Sequence, residues 1–154
     1  MQLGQLLVEE FQVSEDDLKR AESYQNRFGG RLDQVLVNMG SLPDDQVSVL
    51  YSKYLDLPLL ELFQWQDVEP VNIDSQDLSL LLDNKWVPLA INGSAWTFAC
   101  RFPLELQVQE WLVQKNIDAE IFIADDSDLQ ILTNKYEQLS TLDDGQEFVG
   151  NEEE

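Results

Sequence analysis

Four basic side chains fall close together in the first part of the chain: Lys19, Arg20, Arg27 and Arg31. An arginine fork holds a carboxylate or phosphate through two parallel hydrogen bonds. Glycines stand at Gly4 and Gly40, where a missing Cβ could let backbone N–H groups approach a ligand closely. Together these residue types could grip a small anion. Plainer uses exist for each. Arg31 can start a helix and pair with a nearby acid, and Gly40 can end a short helix. The adjacent carboxylates Asp44-Asp45 and Asp125-Asp126 could bind metal or carry protons. With 30 acids in 154 residues, however, adjacent pairs are expected by chance. No Asp-x-Asp-x-Asp-Gly loop accompanies them. Both pairs stand at expected helix starts, where the dipole favours negative charge.

Histidine is absent, which removes His-based triads, bases and metal ligands. Cys100, the one cysteine, lies in the apolar run WTFAC and reads as an inert buried thiol. No glycine is followed by lysine, so the chain has no phosphate-cradling P-loop. We assign no catalytic residue, no metal site and no cofactor. The chain reads as a non-enzyme.

Charge narrows the partners. Nine bases against 30 acids leave a net charge of −21. Such a surface does not bind a phosphate backbone by counterion release, so nucleic acid is excluded. It does not dock on anionic lipid either. The N-terminus lacks a basic segment followed by a long apolar run, and no apolar stretch is long enough to span a bilayer. We expect a cytoplasmic chain without direct membrane insertion. Acids spread over a rigid face could mimic nucleic acid, but many of them crowd at the C-terminus instead.

The elements that would position these residues come in two copies. When Leu3 is laid over Leu32, Gln5 meets Gln34, Leu7 meets Leu36, Val8 meets Val37, Asp16 meets Asp45 and Ser23 meets Ser52. Apolar positions coincide between them. Each copy predicts a short helix, a turn and a longer helix. Ser14 is the expected N-cap of the first long helix, with Val13 and Leu18 stapling it. Pro43 takes the Ser14 position in the second copy, with Leu42 and Val47 as the staple. Gly29-Gly30 closes the first copy. Residues 1–62 are thus expected to form tandem helical hairpins.

Past Leu57-Pro58 the periodicity changes. Residues 59–74 read as irregular. Ser75 to Asp83 reads as a short helix. Trp86–Ile91 and Ala95–Arg101 read as strands joined at Asn92-Gly93. A helix from Pro103 to about Lys115 would turn Leu104, Val108, Trp111 and Leu112 inward. Ala119–Ile123 reads as a third strand. A closing helix, Asp125 to Gln138, would bury Leu129, Ile131 and Leu132. Trp86, Trp96 and Trp111 are expected in the core, and Trp65 is the candidate for an exposed anchor. The fold class is α+β: a tandem helical-hairpin subdomain over 1–62, then a small α/β subdomain over 63–139 with a sheet of about three strands. Residues 140–154 carry acids and no base, and are expected to be a disordered linker or tail.

The segment GGRLDQVLVNMGSLPDDQVSVLYSKYLDLPLLEL, with NKWVPLAINGSAWTFACRFP downstream, resembles the N-terminal domain of type II secretion and type IV pilus assembly ATPases, of the MshE N-terminal type. The resemblance covers about residues 2–139. That family carries two tandem motifs of the form RLGxxLLxxGLLxxxxLxxxLxxQ, which bind c-di-GMP. Other members dock through this domain on an inner-membrane platform protein, and similar domains occur fused to glycosyltransferases. The resemblance therefore implies a docking and regulatory domain recruited to the inner membrane through its partner. The alternative it implies is a c-di-GMP sensor attached to a different effector. Among the motif residues retained are Leu3, Gly4 and Gln25 in the first copy, and Arg31, Leu32 and Gly40 in the second. These six are the candidate ligand residues. Gln2 replaces the first Arg, Phe11 an internal Gly, Asp33 the second copy's Gly, and Tyr54 its terminal Gln. An acid at 33 would face a dianionic ligand, so the motif is degenerate.

Overall fold

A computed structural model describes the backbone of residues 2–151 and the side chains of residues 2–139. It divides into two compact units, Met1–Leu59 and Leu60–Glu154. Among the described residues there are eight α-helices and three strands.

The first unit holds α1 (Leu3–Glu10), α2 (Glu15–Phe28), α3 (Leu32–Met39) and α4 (Val47–Leu55), the last preceded by a single 3-10 turn, Asp44–Gln46. The Ser14 hydroxyl accepts the Asp17 N–H at 3.0 Å and caps α2. Asp74 plays the same part for the helix Ser75–Asp83 of the second unit. Gly40 ends α3 with φ +82°, a conformation that side-chain-bearing residues seldom adopt. Alpha1 packs on α2 and α4, and α2 packs on α3. Leu6, Leu7, Val13, Leu36, Leu42, Val47 and Leu50 are buried.

The repeat extends to the backbone hydrogen bonds. Leu6 N–H donates to the Gln2 carbonyl, as Val35 N–H does to Arg31. Val13 N–H donates to Leu7, as Leu42 N–H does to Leu36. The same apolar spacing selects the same turn twice.

The second unit contains α5 (Leu62–Trp65), α6 (Ser75–Asp83), β1 (Trp86–Asn92), β2 (Ala95–Cys100), α7 (Leu106–Lys115), β3 (Asp118–Ile123) and α8 (Asp126–Asn151). The sheet order is β1-β2-β3. The first pair is antiparallel and the second parallel, with α7 as the crossover. Strand alternation sends Val87, Leu89 and Ala99 into one core with Leu129, Leu132 and Tyr136 of α8. It sends Trp86, Phe98 and Cys100 into the other, with Val108 and Trp111 of α7. The sheet is thus covered on both faces. Pro88 sits on edge strand β1 beside a register shift, where its missing N–H costs no ladder bond.

Several expectations are corrected here. The β1–β2 loop is Gly93-Ser94, with Asn92 paired to Ala95. Gly93 alone takes positive φ, +64°, as the first position of a type II′ loop does. Alpha7 starts at Leu106, and Leu104 is exposed. Ile131 points outward on α8, and Tyr136 takes its place in the core. Within the stretch read as irregular, residues 62–65 form a helical turn. Trp65 is half-buried against Phe122 (centroids 5.8 Å), not an exposed anchor. Lys135 holds that turn by donating to the Trp65 and Val68 carbonyls. Alpha8 runs past Gln138 to Asn151. A helix already nucleated extends at little cost while no proline interrupts it. Residues 152–154 of the expected tail lie outside the described residues.

Candidate ligand site in the tandem repeats

The six candidate residues all fall in the first unit, at three places. Leu3 and Gly4 open α1. A Cβ on Gly4 would lie 3.2 Å from Leu18 Cδ2 and 3.8 Å from Glu22 Oε2, so this glycine sets the close approach of α1 to α2. Gln25, Arg31 and Leu32 lie around the corner between α2 and α3. There Gln25 Nε2 donates to the Gly30 carbonyl at 3.0 Å. Gly40 terminates α3, at the opposite end of that helix from Arg31. No heavy atom comes within 4 Å of a Cβ built on Gly40. Its glycine answers the positive φ and not a close approach.

Arg31 is the strongest anion-gripping group of the set, and its fork is already occupied. Nε donates to Asp33 Oδ1 at 3.1 Å and Nη2 to Oδ2 at 3.2 Å. Asp33 is 1% exposed. The Tyr51 hydroxyl, from α4, donates to the same Oδ1 at 2.6 Å. Burial and the adjoining carboxylate push the Tyr51 phenol far above its ordinary range, so it stays a donor. Asp33 also lies in the first turn of α3, where the helix dipole favours its charge.

Asp33 is therefore more than an obstacle to a ligand. It supplies the anion that the fork would otherwise seek. Sequence reasoning identified its position and its charge but missed its partner Tyr51. Tyr51 stands at a Leu position of the tandem motif, so the departure from Gly to Asp is accompanied by a departure from Leu to Tyr. That paired change was the available signal.

The equivalent place in the first repeat is built differently. Gly4 stands where Asp33 does, Gln2 where Arg31 does and Glu22 where Tyr51 does. A shallow groove remains there, lined by Gly4, Val8 and Leu18 with glutamates at its rim. Ser41, in the second repeat's turn, donates its hydroxyl to Asp17 of α2 at 2.7 Å. That bond, followed by Arg20, holds the Asp17 carboxyl below its usual range.

The other groups weighed for chemistry are used structurally. Cys100 is fully buried, and burial pushes its thiol well above the reactive range. Asp126 pairs with Arg101 at 2.6 Å and with Lys85 at 3.4 Å. Trp86 and Trp111 are buried and half-buried Trp96 packs with them: Trp86 lies 5.2 Å from Phe98 and Trp96 5.6 Å from Trp111, centroid to centroid.

Residues 55–141 match the MshEN domain family. The chain belongs to that family. This MshEN chain is also similar to solved structures. The structure of MshE with cdg superposes with a TM-score of 0.64 at 27% identity, covering 84% of this chain and 94% of that one. The N-terminal domain of XpsE superposes with a TM-score of 0.67 at 17% identity, covering 86% and 92%. A second crystal form of that domain gives 0.56, also at 17% identity. No curated protein sequence matches the chain. The α+β architecture is thus that of the N-terminal domain of type II secretion and type IV pilus ATPases, as the tandem motif implied. No helix among the described residues is long and apolar enough to cross a membrane.

Proposed function

We propose that this MshEN domain is a non-catalytic docking and regulatory module of a type II secretion or type IV pilus assembly ATPase. It binds the cytoplasmic part of an inner-membrane platform protein and is recruited from the cytoplasm to the membrane through that partner. It takes no cofactor. One observation carries this reading over ligand sensing: the Arg31 fork is closed on the buried carboxylate of Asp33. A site that supplies its own anion holds an incoming phosphate or guanine less well, because the internal bonds must break first. The net charge of −21 favours a basic partner and speeds encounter with it. Calorimetry with the purified cytoplasmic part of the platform protein tests docking. Saturable binding is expected. Its absence at the highest workable concentration would overturn the reading.

The second reading, a c-di-GMP sensor, is favoured by the similarity to MshE, solved with cdg. The six candidate ligand residues of the motif are Leu3, Gly4, Gln25, Arg31, Leu32 and Gly40. Titration with c-di-GMP separates the two. Binding tighter than about one micromolar, on the order of −8 kcal/mol, would establish the sensor. We expect weaker binding or none.

A further inference from the structure

We infer that the groove beside Gly4 is the seat of a basic amphipathic helix of the partner protein. The inference deepens the docking reading above and rests on it.

Four residues of α2 face this groove: Glu15, Leu18, Lys19 and Glu22. Their spacing of three, four and seven places them on one helix face over about two turns. Gly4 and Val8 of α1 form the other wall, and Glu9 extends the rim. Gly4 lets α1 close on half-buried Leu18, 3.2 Å from where a Cβ on Gly4 would stand, so Leu18, Gly4 and Val8 form the base of the groove. The floor is therefore apolar, and three carboxylates stand around it against one ammonium.

The second repeat shows how the same face is normally used. Its counterparts Val47, Ser48 and Tyr51 are 0%, 4% and 3% exposed, and Asp33, 1% exposed, stands in the place of Gly4. Alpha2 by contrast buries Ala21 alone among its described residues. The first repeat thus leaves Glu15, Lys19 and Glu22 of that face exposed, with Leu18 half-buried against Gly4 of α1.

Charge selects the occupant. Glu9, Glu15 and Glu22 repel a phosphate and attract Lys or Arg. A groove two turns long, with Leu18 and Val8 at its base and glutamates at its rim, suits a helix whose apolar residue lies on that base while its basic residues reach the rim. A small cation would leave that floor uncovered.

The test uses the full chain and two synthetic helical peptides of one amphipathic pattern, leucine with lysine and leucine with glutamate. Backbone NMR shifts report the site. The Leu/Lys peptide should perturb Gly4, Val8, Leu18 and Glu22, and the Leu/Glu peptide should not bind. Replacing Glu9, Glu15 and Glu22 by Gln should weaken binding roughly tenfold. Removing equal charge elsewhere, with Asp67→Asn, Glu69→Gln and Glu110→Gln, should change it by less than about twofold; these side chains are also exposed. Lys19→Gln should strengthen binding.

Equal losses in the two triple variants, shifts scattered over other acidic surfaces, or no binding of the Leu/Lys peptide would overturn the inference. A platform fragment that binds wild type and the Glu9/Glu15/Glu22 variant alike would place docking on another surface and overturn the groove alone. A platform fragment that does not bind, while the Leu/Lys peptide seats as expected, would support the groove and overturn the platform protein as its partner.

Discussion

The two repeats share a backbone pattern and divide its uses. In the second, α4 carries Val47, Ser48, Leu50 and Tyr51 into the interior. Asp33 joins Arg31 and Tyr51 in one buried network. In the first, α2 is polar nearly throughout, and Gly4 stands where Asp33 does. Duplication supplied two equivalent positions. One became part of the unit's interior and the other stayed at its surface. Equivalence in sequence therefore says little about equivalence in energy, because burial decides what a side chain is worth.

The sharpest way to break this comparison is to remove the equivalent residue from each repeat. Asp33→Ala should cost about 2–4 kcal/mol, because the Arg31 fork and the Tyr51 hydroxyl both lose their acceptor. Gly4→Ala should stay within about 1 kcal/mol of wild type. Gained helix propensity offsets a 3.2 Å contact that the half-exposed Leu18 can relieve. Urea unfolding measures both. Similar costs would mean that Asp33 is not structural.

A second experiment restores the motif. Gln2→Arg together with Asp33→Gly supplies a second fork and frees the first. Affinity for c-di-GMP should rise at least about tenfold, roughly 1.4 kcal/mol. The fold pays more for this than the sequence alone implied. Glycine at 33 strands Tyr51 as well as raising the chain's entropy, so Gln2→Arg alone is the milder companion. A folded double variant that still fails to bind would show that the pocket itself is gone, leaving docking.

Much of this was legible beforehand. Apolar spacing placed both hairpins, the caps at Ser14 and Pro43, and three strands near their observed ends. It worked because those choices are local: a cap, a staple or a turn is decided by residues within a few positions. The misses were non-local. Tyr51 meets Asp33 only because α4 packs beside α3. Ile131 is exposed because α8 packs on the sheet through Leu129, Leu132 and Tyr136. Trp65 is drawn into the core by Phe122, far along the chain.

Tyr51→Phe separates the network into its parts. The ring stays packed and one hydrogen bond to Asp33 is lost, while the Arg31 fork remains. A cost of about 1 kcal/mol is expected. The corresponding change in the first repeat, Glu22→Gln, alters an exposed group and should lie within about 0.5 kcal/mol of wild type. Equal costs would erase the distinction between the two faces.

The smallest effect expected concerns the bond that joins the repeats. Ser41 and then Arg20 hold the Asp17 carboxyl below its ordinary value. Its folded pKa is thus lower than its unfolded one. The unfolded chain binds the proton more readily, so Asp17 contributes stability above its unfolded pKa of about 3.8, and that contribution disappears as pH falls through the folded value. Asp17→Asn should therefore lower the melting temperature near neutral pH. The gap to wild type should start closing as pH falls below the unfolded pKa and be gone beneath the folded one. Taking the difference between two chains cancels the many other acids that titrate in the same range. Asp17 is exposed enough for water and salt to screen it, so added salt should shrink the gap at neutral pH as well. A gap independent of pH and salt would mean that the substituted amide fails for a steric reason, and that the Ser41 bond does not tie the second repeat's turn to α2.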